Sequence, residues 1–223
     1  MTFKLLSQAI LKFLLGVVLL GVVIFLPAGT LSFFNGWLLM AVLFIPMLAA
    51  GIVMCFKNPQ LLQKRLNAKE KQKEQGAVVK LSALMFLVGF VVAGLNFRFS
   101  WYSLPRFVVI SATVLFLASY ILYAEVLREN AYLSRTIEIQ ENQKVIDTGL
   151  YSVVRHPMYS ATLVLFLSMP LILGSLYAFI IFLAYPFIIV KRIKNEEAFL
   201  EKELDGYSDY MKKVKYRLIP FIW

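Results

Sequence analysis

Charge is what this sequence lacks over most of its length. Residues 13–56, 81–97, 107–124 and 156–190 contain no Asp, Glu, Lys or Arg. Of its 223 residues 60% are hydrophobic and 16% charged, against roughly half and a quarter in soluble domains. Uncharged runs of ~17–25 residues are what a helix needs to cross the hydrocarbon layer, so a soluble globular fold is excluded. There is one cysteine, Cys55, in an apolar run. It has no partner for an intrachain disulfide and no neighbouring histidine for a metal site. There is one histidine, His156, and no His/Asp or Cys/His nucleophilic arrangement is evident. No G-x-G-x-x-G occurs, so the glycine-rich strand–helix cradle of soluble nucleotide enzymes is absent. Internal repeats and low-complexity segments are also missing.

What is present is basic and unevenly placed. The net charge is +10. In a soluble protein that balance would suggest nucleic acid. Here the lysines and arginines flank apolar runs, where they set orientation and meet anionic headgroups, so membrane lipids rather than nucleic acid are the expected partner. Breaks at Pro27–Thr30 and Asn35-Gly36 predict a first helix over about 8–27 and a second over about 34–56. The apolar core 13–26 reads as a retained helix rather than a cleaved signal. A polar link over 57–80 precedes a third helix at about 78–97 and a fourth at about 106–128. Residues 129–155 are polar and carry the turn signal Asp147-Thr148-Gly149.

The uncharged stretch 156–190 has 35 residues. As one helix it would reach ~50 Å, against a hydrocarbon core of ~30 Å. A hairpin of about 157–173 and 176–192 is therefore expected, broken by Pro170 and Gly174-Ser175. A cytoplasmic helix at about 193–204 and a short one near Tyr207–Lys215 should follow. With the N-terminus inside, 21 of the 23 lysines and arginines fall inside, leaving only Arg98 and Arg106 outside. The expected fold is an all-α, multi-pass bundle of about six crossing helices with both termini cytoplasmic. Residues 1–124 would supply N-terminal membrane helices, and 125–223 the chemistry.

Three clusters could carry that chemistry. The first is Tyr151 through Tyr159, containing Arg155-His156-Pro157. A residue before proline avoids helical geometry, and proline favours the first helical position. His156 should therefore be extended and Pro157 should open the fifth helix. The N–H groups of Met158, Tyr159 and Ser160 would then be free to receive an anion. The second cluster pairs Arg192 with Glu196 on one helical face. Alone, that is a surface ion pair worth ~0.3–0.5 kcal/mol. The third is the tail, with Gly206-Tyr207, Tyr210 and Tyr216-Arg217-Leu218-Ile219-Pro220. By itself it reads as a basic amphipathic segment lying on headgroups.

Together, in this order and spacing, the clusters resemble the isoprenylcysteine carboxyl methyltransferase family of integral membrane enzymes, especially its bacterial-type members. The marks are Gly149-Leu150-Tyr151, Arg155-His156-Pro157-Met158-Tyr159, Arg192 with Glu196-Glu197, Gly206-Tyr207 with Tyr210, and Tyr216 to Pro220. The resemblance covers roughly 125–223. It implies S-adenosylmethionine as methyl donor, bound by Gln143, Lys144, Val145, Ile146, Tyr151, His156, Pro157, Met158, Tyr159 and Glu196, with Arg192 orienting a hydrophobic or lipidated acceptor. It implies no metal, and an active site facing the cytoplasm from a bacterial inner or plasma membrane. Two positions depart from the family pattern. Gln143 stands near where members often have histidine, and Ala161 stands where they usually have glycine.

The chemistry asked of the residues is modest. A carboxylate acceptor is ionised at neutral pH, its reference pKa being near ~4. It needs alignment and desolvation rather than a general base. Two other readings remain open. One is a phospholipid N-methyltransferase, whose amine acceptor must lose a proton. The other is a membrane NADPH-dependent lipid reductase, because the sterol reductases also carry an Arg-His-Pro-x-Tyr-like segment and a proline-aromatic tail. The further cysteine mark of those tails is absent here. A transporter would place ionisable residues at mid-membrane, and the expected helix cores have none.

Overall fold

The computed structural model describes residues 3–66, 73–130, 132–133 and 139–223. Residues 67–72 of the polar link, with Lys69 and Lys71, and 134–138 of the polar segment 129–155 lie outside the described residues. The described residues form helices and turns with no strand, as expected of a multi-pass bundle. The helices are α1 (Phe3–Ala28), α2 (Phe34–Lys57), α3 (Pro59–Leu66), α4 (Lys73–Arg98), α5 (Arg106–Glu129), α6 (Pro157–Ile172), α7 (Leu176–Phe182), α8 (Tyr185–Glu203) and α9 (Tyr207–Lys213). A 3-10 turn spans Gly149–Ser152.

Among the described residues, five stretches are long and apolar enough to cross a membrane: Leu5–Ala28, Phe34–Lys57, Gln75–Arg98, Arg106–Glu129 and the composite Leu176–Glu203. Pro157–Ile172 is apolar but has 16 residues. At about 1.5 Å per residue it rises ~24 Å, short of a ~30 Å core. Large apolar side chains such as Leu26, Phe56, Phe107, Ile121 and Phe187 are exposed on the bundle, as surfaces that face lipid tails would be.

Besides giving five candidate crossing stretches among the described residues where about six were expected, the structure differs from the sequence expectation in three places. The helix α3 falls in the link expected to be merely polar. Asn58 begins it, its side chain accepting from the Leu61 N–H at 3.0 Å, and Leu61 and Leu62 are buried. Pro170 lies inside α6 and does not end it. The turn comes at Gly174-Ser175, where the Ser175 hydroxyl accepts from the Ala178 N–H at 3.2 Å. The expected separate helix over 193–204 does not exist, because α8 runs unbroken from Tyr185 to Glu203. The second arm of the hairpin is interrupted earlier, at 183–184, before Pro186, which has no N–H to continue α7.

Close backbone approach and aromatic packing hold the bundle together. A Cβ at Gly94 of α4 would stand 2.7 Å from the Ile24 carbonyl oxygen of α1, so only glycine allows this crossing. Phe86 meets Phe166 edge-on at 4.8 Å and Phe182 at 5.3 Å, and Phe166 meets Tyr185 at 4.9 Å. These contacts join α4, α6, α7 and α8. One apolar cluster runs from Ile24 through Phe116 and Ile172 to Ile193 and Leu218. At one end of the bundle the Leu104 N–H donates to the Gly174 carbonyl at 3.0 Å. At the other end, the segment after α5, the start of α6, the last turns of α8 and the tail come together.

Candidate active site

The site is built around the start of α6. His156 has φ −126° and ψ 60°, outside helical geometry, and Pro157 takes the first helical position as expected. The His156 carbonyl accepts from the N–H groups of Tyr159 at 3.0 Å and Ser160 at 3.1 Å. Two of the three N–H groups expected to be free for an anion are therefore already taken. The cap residue's own carbonyl satisfies them, which is the ordinary way a first turn closes.

The tail, which taken alone reads as a segment on headgroups, joins the other two clusters here. It folds back along this helix start rather than lying outward as an amphipathic segment. The Arg155 N–H donates to the Tyr216 carbonyl and the His156 N–H to the Arg217 carbonyl, both at 2.9 Å. The Ser160 hydroxyl donates to the Leu218 carbonyl at 2.6 Å. Leu218 is buried while Phe221 and Ile222 remain exposed.

Beneath the tail sits Glu197, buried on α8. Its Oε1 accepts from Arg155 Nε at 2.7 Å and lies 3.2 Å from His156 Nε2. Its Oε2 accepts from Arg217 Nε at 2.7 Å. Arg155 Nη1 also donates to the Val214 carbonyl at 2.7 Å. One carboxylate thus ties α6, α8 and the tail together. Its neighbour Glu196 points elsewhere. The Tyr159 hydroxyl donates a short hydrogen bond to Glu196 Oε2, and Arg192 Nε donates to the same hydroxyl at 2.9 Å.

The segment after α5 closes the other side. Gly149 has φ +51°, and a Cβ there would fall 1.5 Å from Glu129 Oε1. The reason for that closeness is that the Glu129 carboxylate accepts from the Leu150 N–H at 2.9 Å, joining the end of α5 to the 3-10 turn. The Asn130 amide donates to the Tyr151 hydroxyl at 3.0 Å, and the Tyr210 hydroxyl donates to the Tyr151 carbonyl at 2.7 Å. Ile139 and Val145 pack on a small apolar cluster of Leu204, Tyr207, Tyr210 and Val214. Gln143 Oε1 accepts from the Gln140 N–H at 2.9 Å, so it shapes its own loop. Ala161 is fully buried, and its methyl is accommodated in the packing.

These elements line an open-mouthed cavity. Gln143, Lys144, Val145, Ile146, Tyr151, His156, Met158, Tyr159, Arg192 and Glu196 all line it. Of the residues singled out from the sequence, Pro157 is not on the wall; it is fully buried and sets the helix start. Burial pushes the Tyr151 phenol up to about 12, against a weaker opposing effect from Asn130. Burial likewise raises Tyr207 and Tyr210. These hydroxyls are therefore neutral at physiological pH and serve as hydrogen-bonding groups, not bases. The Tyr207 hydroxyl is buried and has no hydrogen-bond partner among the described residues.

Residues 107–205 match the phospholipid methyltransferase family model. That match covers less than half of the chain. It spans Tyr151, the Arg155–Tyr159 segment, Arg192, Glu196 and Glu197, and stops before Tyr207. The chain is also 30% identical over 91 residues to the Delta(14)-sterol reductase TM7SF2 of Mus musculus. That similarity covers 40% of this chain, and the chain spans about a fifth of the reductase's length, 22%.

Sequence reasoning missed several residues of this site. Asn130, Tyr132, Leu133, Leu200 and Leu204 line the cavity without any motif to mark them. Tyr207 and Tyr210 were visible as part of the tail pattern, and their three-residue spacing put both on one face. The importance of Glu197 over its neighbour had no signal in the chain.

Proposed function

We propose that this protein is an integral membrane S-adenosylmethionine-dependent methyltransferase that acts on a carboxylate of a lipidated or hydrophobic acceptor, as the isoprenylcysteine carboxyl methyltransferases do. The observation that carries this reading is the convergence of Tyr151–Tyr159, Arg192/Glu196 and Tyr207/Tyr210 on one cavity at the end of a membrane bundle. The match to the phospholipid methyltransferase model supports the reaction class.

The residues present fit the cofactor. The buried, unpartnered Tyr207 hydroxyl needs a polar ligand atom. Five tyrosines, at 132, 151, 159, 207 and 210, line the cavity and offer ring faces to a cation. Glu196 is an acceptor for an ammonium or ribose hydroxyl. The backbone of Gln143–Ile146 and the side chains of Tyr151, Met158 and Tyr159 would frame the rest. His156 would act through its contact with Glu197 and Pro157 through the helix start. When bound, S-adenosylmethionine supplies a methyl group activated on a sulfonium.

The acceptor side follows from charge. Lys144 and Arg192 line the cavity against Glu196, while Arg155 is paired with Glu197. A carboxylate acceptor matches that excess, and Arg192 can hold it by a two-pronged hydrogen bond. It has no proton to lose at neutral pH. An amine acceptor does; Glu197 is already held by three donors, and in this reading Glu196 serves the cofactor. The distribution of lysine and arginine supports a cytoplasmic site, and the resemblance to bacterial-type members suggests a bacterial inner or plasma membrane.

The test is transfer of a labelled methyl group from S-adenosylmethionine to membrane extracts, with alkali treatment of the product. A carboxyl methyl ester releases labelled methanol. A stable label on a phospholipid headgroup would favour the N-methyltransferase reading that the family match suggests. The reductase similarity supplies a second competitor. Binding of NADPH in place of S-adenosylmethionine by the purified protein would overturn the proposal in its favour.

A further inference from the structure

Arg192 and Glu196 stand one turn apart on α8, and both line the cavity. Their shared partner comes from a different helix. Tyr159 of α6 is buried, its ring 5.7 Å from the His156 ring, and its hydroxyl sits between the guanidinium and the carboxylate. The direction of these bonds is set by chemistry. Arginine can only donate, so the hydroxyl accepts from Arg192 Nε and has its one hydrogen left for Glu196 Oε2. An ionised carboxylate has about four lone-pair sites, so Glu196 keeps capacity for a ligand. The linkage spans the two sides of the proposed reaction, with Arg192 toward the methyl acceptor and Glu196 toward the cofactor.

We propose that Tyr159 is a positioning residue whose hydroxyl couples Arg192 to Glu196, so that the acceptor-side cation helps set affinity at the cofactor side. This rests on the cofactor reading above. The coupling makes a change at Arg192 felt by a ligand that Arg192 need not touch. It also requires the hydroxyl and not the ring, because the ring's packing is kept in phenylalanine.

A double-mutant cycle tests it. S-adenosylmethionine affinity is measured by calorimetry on the full chain in detergent, for the unsubstituted protein, Arg192→Gln, Tyr159→Phe and the double variant. Residues in one hydrogen-bond network couple non-additively. Arg192→Gln is expected to weaken binding roughly five-fold in the parent and less than about two-fold when Tyr159 is phenylalanine. The unliganded unfolding temperatures of the variants control for general damage. If Tyr159→Phe does not fold, Arg192→Gln in a Glu196→Gln background replaces it, and the same loss of effect is expected. Equal costs in both backgrounds, with parent binding intact, overturn the coupling alone. Absence of S-adenosylmethionine binding by the parent overturns the cofactor reading and the coupling with it.

Discussion

Glu197→Gln should be the most damaging conservative substitution in the C-terminal half. The side chain is nearly isosteric, so packing is preserved and only charge is lost. The Glu197 and Arg155 side chains are 7% and 5% exposed, so the guanidinium left behind has almost no access to water. Removing one partner of such a buried pair costs about 3–5 kcal/mol, most of it the stranded charge. For a protein of this size each kcal/mol lowers the unfolding temperature by about 2–4 °C. The expected fall is therefore ~6–20 °C. Arg217 provides the control. Its side chain is 32% exposed, and Glu197 keeps Arg155 and His156 when Arg217 is changed. Arg217→Gln should cost only ~1–2 kcal/mol. Thermal unfolding in detergent at neutral pH measures both, and limited proteolysis reports release of residues 214–223. Replacing Glu197 and Arg155 together by apolar residues should recover much of the loss, because no buried charge is then stranded. A Glu197→Gln protein that unfolds within about 2 °C of the parent would refute the reasoning.

Gly149→Ala should destabilise the same end of the bundle by at least ~2 kcal/mol, since it forces a left-handed backbone and drives a methyl onto the Glu129 carboxylate; thermal unfolding checks it. Tyr207→Phe removes a buried hydroxyl that has no partner among the described residues, so it should leave the unliganded protein as stable or slightly more so, while weakening S-adenosylmethionine binding ~3–10-fold; calorimetry and unfolding together separate the two effects. Tyr151 is held up to about 12 by burial. Its neutral phenol supports the fold fully below the unfolded value near ~10, and that support fades as pH rises through the folded value. Tyr151→Phe should therefore flatten the loss of stability between about pH 10 and 12, measured by denaturant unfolding at a series of pH values.

Much of the site was legible because proline and charge leave marks that do not depend on the fold. Pro157 opens α6 and keeps His156 out of it, as local sterics require. The hairpin after it follows from helix rise against bilayer thickness. Its details did not follow. Pro170 can be carried in the last turn of a packed helix, and α8 continues past the expected boundary because Lys191–Glu203 contains no breaker. The tail's amphipathic pattern suits headgroups as well as protein. Only its backbone pairing with Arg155 and His156 distinguishes the two.

By itself the chain dictates membrane helices, since uncharged runs of that length have no other stable home, and it dictates where the polar residues must gather. Which of two adjacent glutamates serves which purpose was left to the tertiary structure. Glu196 and Glu197 are about 100° apart around α8. That rotation turns one carboxylate toward Tyr159 and the cavity and the other toward two buried or half-buried arginines. The neighbours that decide the matter lie 20 to 42 positions away along the chain. Only packing brings them within reach.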